Sequence, residues 1–149
     1  MREIVLQLIM AFVGSFGFSM LFRLRKNLWT IASLGGVYCW GAYLLAFHFT
    51  GHIFASGLIA SALAAIYADV LASRKRAPIP LFLIPSVVPL IPGSTLYYTM
   101  SAAVQGNTSE VSKYGSLTLQ YALSIAAGIC IVWTILSILR RMCVLGIKK

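Results

Sequence analysis

Acidic side chains are nearly missing from this chain: 149 residues hold three Asp or Glu against twelve Lys or Arg and two His. So few carboxylates leave no paired acids for general acid–base work. A Cys/His dyad at plausible depth and a metal-ligand cluster are also wanting, which argues against a bilayer-embedded hydrolase or transferase. The three cysteines, Cys39, Cys130 and Cys143, are scattered and form neither a disulfide framework nor a CxxC redox pair. His48 and His52 have i, i+4 spacing, but Gly51 interrupts the face between them and no third ligand lies near, so no metal and no cofactor is expected. No linker, low-complexity tract, internal repeat or soluble domain is visible, so residues 1–149 read as a single transmembrane unit.

What remains is apolar. Hydrophobic residues make up 60% of the chain and charged ones 10%, with a mean hydropathy of +0.89, a composition that suits neither a soluble domain nor a disordered chain. A net charge of +9 on a soluble face would suggest nucleic acid. Here the basic residues sit between apolar runs: Arg23, Arg25 and Lys26, then Arg74, Lys75 and Arg76, then Arg140, Arg141, Lys148 and Lys149. That arrangement marks membrane topology, so the expected partner is the lipid bilayer and not nucleic acid.

Five spans follow, at about residues 4–22, 28–49, 53–73, 79–105 and 116–139. They predict an all-α polytopic membrane protein. With five spans the basic clusters after the first, third and fifth all face one side. The positive-inside rule makes that side the cytoplasm, placing the N-terminus outside. Arg2 ahead of an apolar run raises a signal peptide, but Glu3 weakens the basic region and no A-x-A-like cleavage site follows, so the first helix is expected to be retained. An odd span number also means that a homologous five-span unit placed after this one would insert inverted.

The fourth span is unusual. All five prolines, Pro78, Pro80, Pro85, Pro89 and Pro92, fall in or just before it, and Gly93 follows directly. Each freed backbone group in hydrocarbon costs several kcal/mol, so an interrupted span persists where protein or a water-filled cavity satisfies it. Transporters build substrate sites at such breaks near the midplane. If the backbone were helical, Pro85, Pro89 and Pro92 would free the carbonyls of Leu81, Pro85 and Val88 for an ammonium group or a cation. Ser94 and Thr95 read as an N-cap opening a second half-helix, whose positive end suits a carboxylate. Tyr97 and Tyr98 lie in its first turn, where a phenol can hydrogen-bond a substrate. The substrate-binding candidates are therefore Pro89, Pro92, Gly93, Ser94, Thr95, Tyr97 and Tyr98. The alternative is that prolines and tyrosines kink and anchor a packed helix.

Asp69 is the one acid inside a predicted span and so a candidate for proton or ion coupling. Its closeness to Arg74 and Lys75 offers the other reading, an interfacial ion pair. Around it, Ser56, Ala60, Ala64, Ala68 and Ala72 recur every fourth residue, with Gly57, Ser61 and Ala65 alongside. Such a stripe allows close helix approach, either within the chain, which is favoured, or against a partner. Trp29 fits an interfacial belt, whereas Trp40 lies deeper and needs a partner for its indole N–H.

Three stretches carry a family resemblance: IPSVVPLIPGSTLYYTMSAA from Ile84 to Ala103, GFSMLF from Gly17 followed by a basic turn, and Asp69 with the segment from Arg74 to Pro78. Together they resemble the threonine/serine exporter family, and in particular its short C-terminal-type subunit, over nearly the full length. The most specific part is the P-x-x-P-G core ending at Gly93 with the Tyr97-Tyr98 pair. The resemblance implies export of small amino acids across a bacterial cytoplasmic membrane, driven by an ion gradient and completed by a longer five-span subunit of the same family. Short subunits of this kind are also linked to dicarboxylate export of the succinate type, so zwitterion and dianion both stay open. A non-transporting assembly subunit is the remaining alternative.

Overall fold

The computed structural model describes residues 2–146; Lys148, Lys149 and the side chain of Cys143 lie outside the described residues. The described residues fold into helices joined by short turns: α1 Arg2–Leu21, α2 Lys26–Thr50, α3 Ile53–Lys75, α4 Pro80–Val87, a 3₁₀ turn Val88–Leu90, α5 Gly93–Val104 and α6 Thr108–Gly146. Among the described residues four helices are long and apolar enough to cross a membrane, and up to five crossings result if α4 and α5, a bent pair that passes the same test together, count as one. This is the all-α polytopic membrane protein that the hydropathy predicts.

The connections are tight because three helices end on residues in the left-handed region. Arg23 (φ 52°), Gly51 (φ 64°) and Arg76 (φ 51°) each turn the chain immediately after a helix. Glycine takes this conformation freely, while an L-residue pays about 1–2 kcal/mol for it. Both arginines, however, sit where a cation meets the negative end of a helix dipole. At Arg23 the turn closes through Leu24 N–H to the Ser19 carbonyl at 3.2 Å, and at Arg76 through Ala77 N–H to the Ala72 carbonyl at 3.1 Å.

One boundary differs from the sequence reading. The last helix starts at Thr108, not near residue 116, so Glu110 and Lys113 stand on its first turns and not in a loop. Asn107 caps it, its side-chain oxygen accepting from Glu110 N–H at 3.4 Å. Gly106 (φ 71°) supplies the turn from α5. The polar opening of α6 is helical because it pairs with α5: Tyr98 packs on Tyr114 with ring centroids 5.4 Å apart, and Thr118 Oγ1 donates to Thr95 Oγ1 at 3.0 Å. At 39 residues, α6 is about 58 Å long, well beyond a hydrocarbon core of about 30 Å.

In the bundle α2 is central, contacting α1, α3 and α4, while α6 lies on the far side of α3. The small-residue stripe is intrachain packing: Ser56, Gly57, Ala60, Ser61, Ala64, Ala65, Ala68 and Ala72 are all buried. One edge meets α2, where Cys39 Sγ reaches the Ala60 carbonyl at 3.6 Å, and the other meets α6, where Ser61 Oγ donates to the Ser124 carbonyl at 3.3 Å. Close helix approach of this kind drives association where the lipid offers no hydrophobic gain. The outer faces of α1 and α6 remain apolar and exposed, as lipid-facing surfaces do.

A hydrogen bond between Tyr43 and Tyr121 hydroxyls, 3.0 Å apart, fastens α2 to α6. Such bonds in membrane bundles average about 0.6 kcal/mol. Tyr43→Phe should therefore cost about that much, and the Tyr43→Phe/Tyr121→Phe pair no more than either alone, by unfolding in mixed micelles. A double variant whose losses add would show that the hydroxyls act independently.

Candidate substrate site

The break between α4 and α5 has a specific chemical origin. Pro85 stands buried inside α4, and Pro89 and Pro92 then deny the ladder two further amides. The backbone responds by tightening. Ile91 N–H bonds the Val88 carbonyl at 3.1 Å, so Val88 is not left open as a continuous helix would leave it. Pro92 (φ −79°, ψ 61°) then forms an inverse γ-turn, with Gly93 N–H on the Ile91 carbonyl at 2.8 Å. The two halves meet at 60°.

The second half-helix begins earlier than a Ser94-Thr95 cap predicts. Pro92 is its N-cap, and Thr95 Oγ1 donates to the Pro92 carbonyl at 3.1 Å instead of capping an amide. Leu96 N–H makes the first bond of the helical ladder to Pro92, leaving the amides of Ser94 and Thr95 ahead of it. A side chain at Gly93 would meet open space, so packing does not demand glycine there.

The first half-helix is held where backbones nearly touch. A methyl at Gly35 would fall onto Ser86 Oγ and within 2.7 Å of the Tyr67 ring. At Gly36 it would fall onto Ser15 Oγ, with the Pro85 carbonyl oxygen 3.3 Å away. That carbonyl lacks the amide four residues on, because residue 89 is proline. Ser15 Oγ is the one buried side-chain oxygen or nitrogen among the described residues without a hydrogen-bond partner. The Gly35-Gly36 pair thus lets α1 and α4 both reach α2 at the level of the break.

Two cavities adjoin the bent segment. The smaller, of about 290 Å³, lies at the break itself, between Val88 and Pro89 on one side and Gln7, Met10, Ala11, Gly14 and Trp40 on the other. Its polar groups are the Gln7 amide and the Trp40 indole, joined by an N–H···O bond of 3.4 Å, which gives the deep Trp40 its partner. The larger cleft, of about 1090 Å³, opens at the other end of α4, between Ile79 and Pro80, Asp69 of α3, and the face of α6 carrying Trp133, Thr134, Ser137, Arg140 and Arg141.

Of the substrate-binding candidates, Pro89 lines the cavity at the break. Pro92 is half-buried in the turn and Thr95 bonds to α6. Gly93, Ser94, Tyr97 and Tyr98 face outward, the tyrosines 67% and 52% exposed, and the Tyr97 and Tyr98 rings meet edge to face. The bent segment therefore presents one candidate inward and four outward.

Asp69 is buried and pairs with neither Arg74 nor Lys75. Arg140 Nη2 donates to its Oδ1 at 2.6 Å, the one salt bridge among the described residues. Arg74 and Lys75 sit on the exposed end of α3, whereas Asp69 points across to α6. Arg140 is the partner of Asp69 that the sequence reading missed. The signal available was the rule that an acid within a span finds a cation, applied across spans and not only along one helix.

A profile of the family described as "Threonine/Serine exporter, ThrE" matches residues 7–135. The chain belongs to the threonine/serine exporter family. The match runs from Gln7 at the small cavity, through Asp69 and the whole bent segment, to Ile135 on α6. As an exporter-family member this chain carries its bent α4–α5 pair and its buried acid inside the matched region, while Arg140 and Arg141 lie just beyond it. No match is found among curated proteins or among solved structures.

Proposed function

We propose that this chain is the membrane subunit of a secondary transporter that exports small amino acids of the threonine/serine type and works with a second, longer five-span subunit. The observation that carries the reading is the proline-broken crossing, bent by 60°, whose break borders a small cavity with an amide and an indole in its wall. Broken helices at membrane depth belong where they line a binding site, and a cavity of about 300 Å³ is at the lower end of small-molecule sites, as a small solute requires.

The bundle ends support an orientation. Tyr67 near the end of α3 donates to the Ile31 carbonyl near the start of α2 at 2.7 Å, and Arg140 meets Asp69. The basic residues after α1, at the end of α3 and at Arg140-Arg141 therefore gather at one end. In a bacterial cytoplasmic membrane that end faces the cytoplasm and the N-terminus faces out. The Ala60, Ala64, Ala68 stripe is covered by α2 and α6, so it leaves no free surface for a partner.

The test is efflux of labelled threonine, serine and succinate from loaded cells lacking native exporters, with this chain alone and with a longer five-span protein of the family. Threonine or serine efflux that requires both chains is the expected result. Efflux of succinate alone would reassign the substrate, and none at all would remove the transport reading.

A further inference from the structure

The larger cleft holds an arrangement of charge that the broken crossing does not explain. We infer that it is a recognition site for the zwitterionic head of the exported amino acid, with Arg140 and Arg141 taking the carboxylate and Asp69 the ammonium. This rests on the exporter reading and names the substrate class for it.

The Asp69 side chain is 11% exposed and Arg140 57%. Their contact joins one guanidinium nitrogen to one carboxylate oxygen, leaving the second oxygen of Asp69 and the rest of the guanidinium fork uncommitted among the described residues. A structural pair of Arg with a carboxylate commonly uses both forks. The single contact here leaves room for each partner to take a ligand group as well. An amino acid supplies both groups at once, so each protein charge exchanges one counter-charge for another and none is stranded in the cleft, an outcome that would be costly.

The cleft carries two guanidinium groups and one carboxylate. A zwitterion leaves that balance unchanged. A dicarboxylate would bring two negative charges to a site with one net positive charge and set one of them beside Asp69, where like charges repel. The charge set therefore separates the two substrate classes that the sequence leaves open. The walls fit the same class. Thr134 already donates its hydroxyl proton to the Cys130 carbonyl at 2.8 Å, so its oxygen is left to accept from a substrate hydroxyl. Ser137 stands one turn further along the same face, and Trp133 also lines the cleft.

Location ties this site to the broken crossing. Ile79 and Pro80 line the cleft, while Val88 and Pro89 at the other end of the same segment line the small cavity, about 12 Å further on by helical rise. A zwitterion held at Asp69 and Arg140 thus contacts the start of the element whose far end borders the break.

The test is binding of labelled L-threonine to the full chain reconstituted with the longer five-span protein in lipid nanodiscs, with competition by L-serine, 3-hydroxybutyrate, ethanolamine and succinate. Serine should compete, while 3-hydroxybutyrate and ethanolamine, each lacking one charge, should be weaker by at least about tenfold, the usual scale of one charge-assisted contact. Succinate should not compete. Asp69→Asn should bring threonine and 3-hydroxybutyrate to within about threefold of each other, and Arg140→Gln/Arg141→Gln should do the same for threonine and ethanolamine. A purely structural ion pair would weaken all ligands together. The Asp69→Asn/Arg140→Gln variant, which strands no charge, keeps the test valid if a single variant misfolds. Unchanged threonine affinity in that variant, or no threonine binding by a wild-type chain that supports threonine efflux, overturns the site and leaves the exporter reading standing. Succinate competing as well as threonine overturns the zwitterion assignment. Absence of amino-acid efflux removes the exporter reading and this inference with it.

Discussion

Gly128→Ala destabilises the bundle by about 3 kcal/mol, the upper end of the usual cost of overpacking, and a complementary cavity does not rescue it. The added methyl falls onto Ser61 Oγ, which can be removed, but it also lies 2.6 Å from the Leu58 carbonyl oxygen and 3.1 Å from the Ala62 nitrogen. Those two are helix backbone and move only if α3 and α6 separate. Gly57 faces the same seam differently: a methyl there meets only the side chain of Ser124. Gly57→Ala is therefore rescued by Ser124→Gly, returning to within about 0.5 kcal/mol of the Ser124→Gly variant, whereas Ser61→Gly leaves Gly128→Ala crippled. Unfolding of the four single and two double variants in mixed micelles reads the difference directly. Equal rescue at both positions would mean that α6 shifts freely along α3 and that the seam is not a rigid contact.

The contrast also explains what the sequence made legible. Long apolar helices were readable because hydropathy reports how long a run of residues tolerates lipid, and the ends of α1, α2 and α3 lie within two residues of those runs. The break was readable because three prolines cannot sit in one helix without losing amides, whatever surrounds them. Partners across helices were not. Asp69 has basic neighbours along its own helix, yet the geometry of α3 turns it toward Arg140, 71 residues away. Tyr97 and Tyr98 looked inward because they follow the break, but a 60° bend carries α5 away from α1 and α2 and leaves it resting chiefly on α6. The start of α6 was hidden for a related reason: Thr108 to Gly115 is too polar to score as a span and is helical through its pairing with α5 and the Asn107 cap.

Filling the cavity at the break stops export without unfolding the chain. Gly14 lines that cavity, and a side chain built there meets nothing within 4 Å, so Gly14→Leu projects into free space and not into a neighbour. If substrate passes Pro89, Gln7 and Trp40, efflux falls by at least about tenfold, a barrier increase of roughly 1.4 kcal/mol or more, while expression and micelle stability stay near wild type. Gly17→Leu is the control: it too meets open space, on the exposed face of α1, and should leave efflux intact. Pro89→Ala tests the same place by a different route. It restores the amide that the Pro85 carbonyl lacks, drawing the segment toward a continuous helix, and should lower efflux without loss of stability because a missing ladder bond is regained. The pair distinguishes blockage from mechanics: Gly14→Leu obstructs the cavity with the bend preserved, whereas Pro89→Ala weakens the bend with the α1 wall of the cavity unchanged. Normal flux in both variants, at normal abundance, would place the substrate path away from the break and make the prolines a packing device alone. Loss in Gly14→Leu with full activity in Pro89→Ala would keep the path and remove any requirement for the bend.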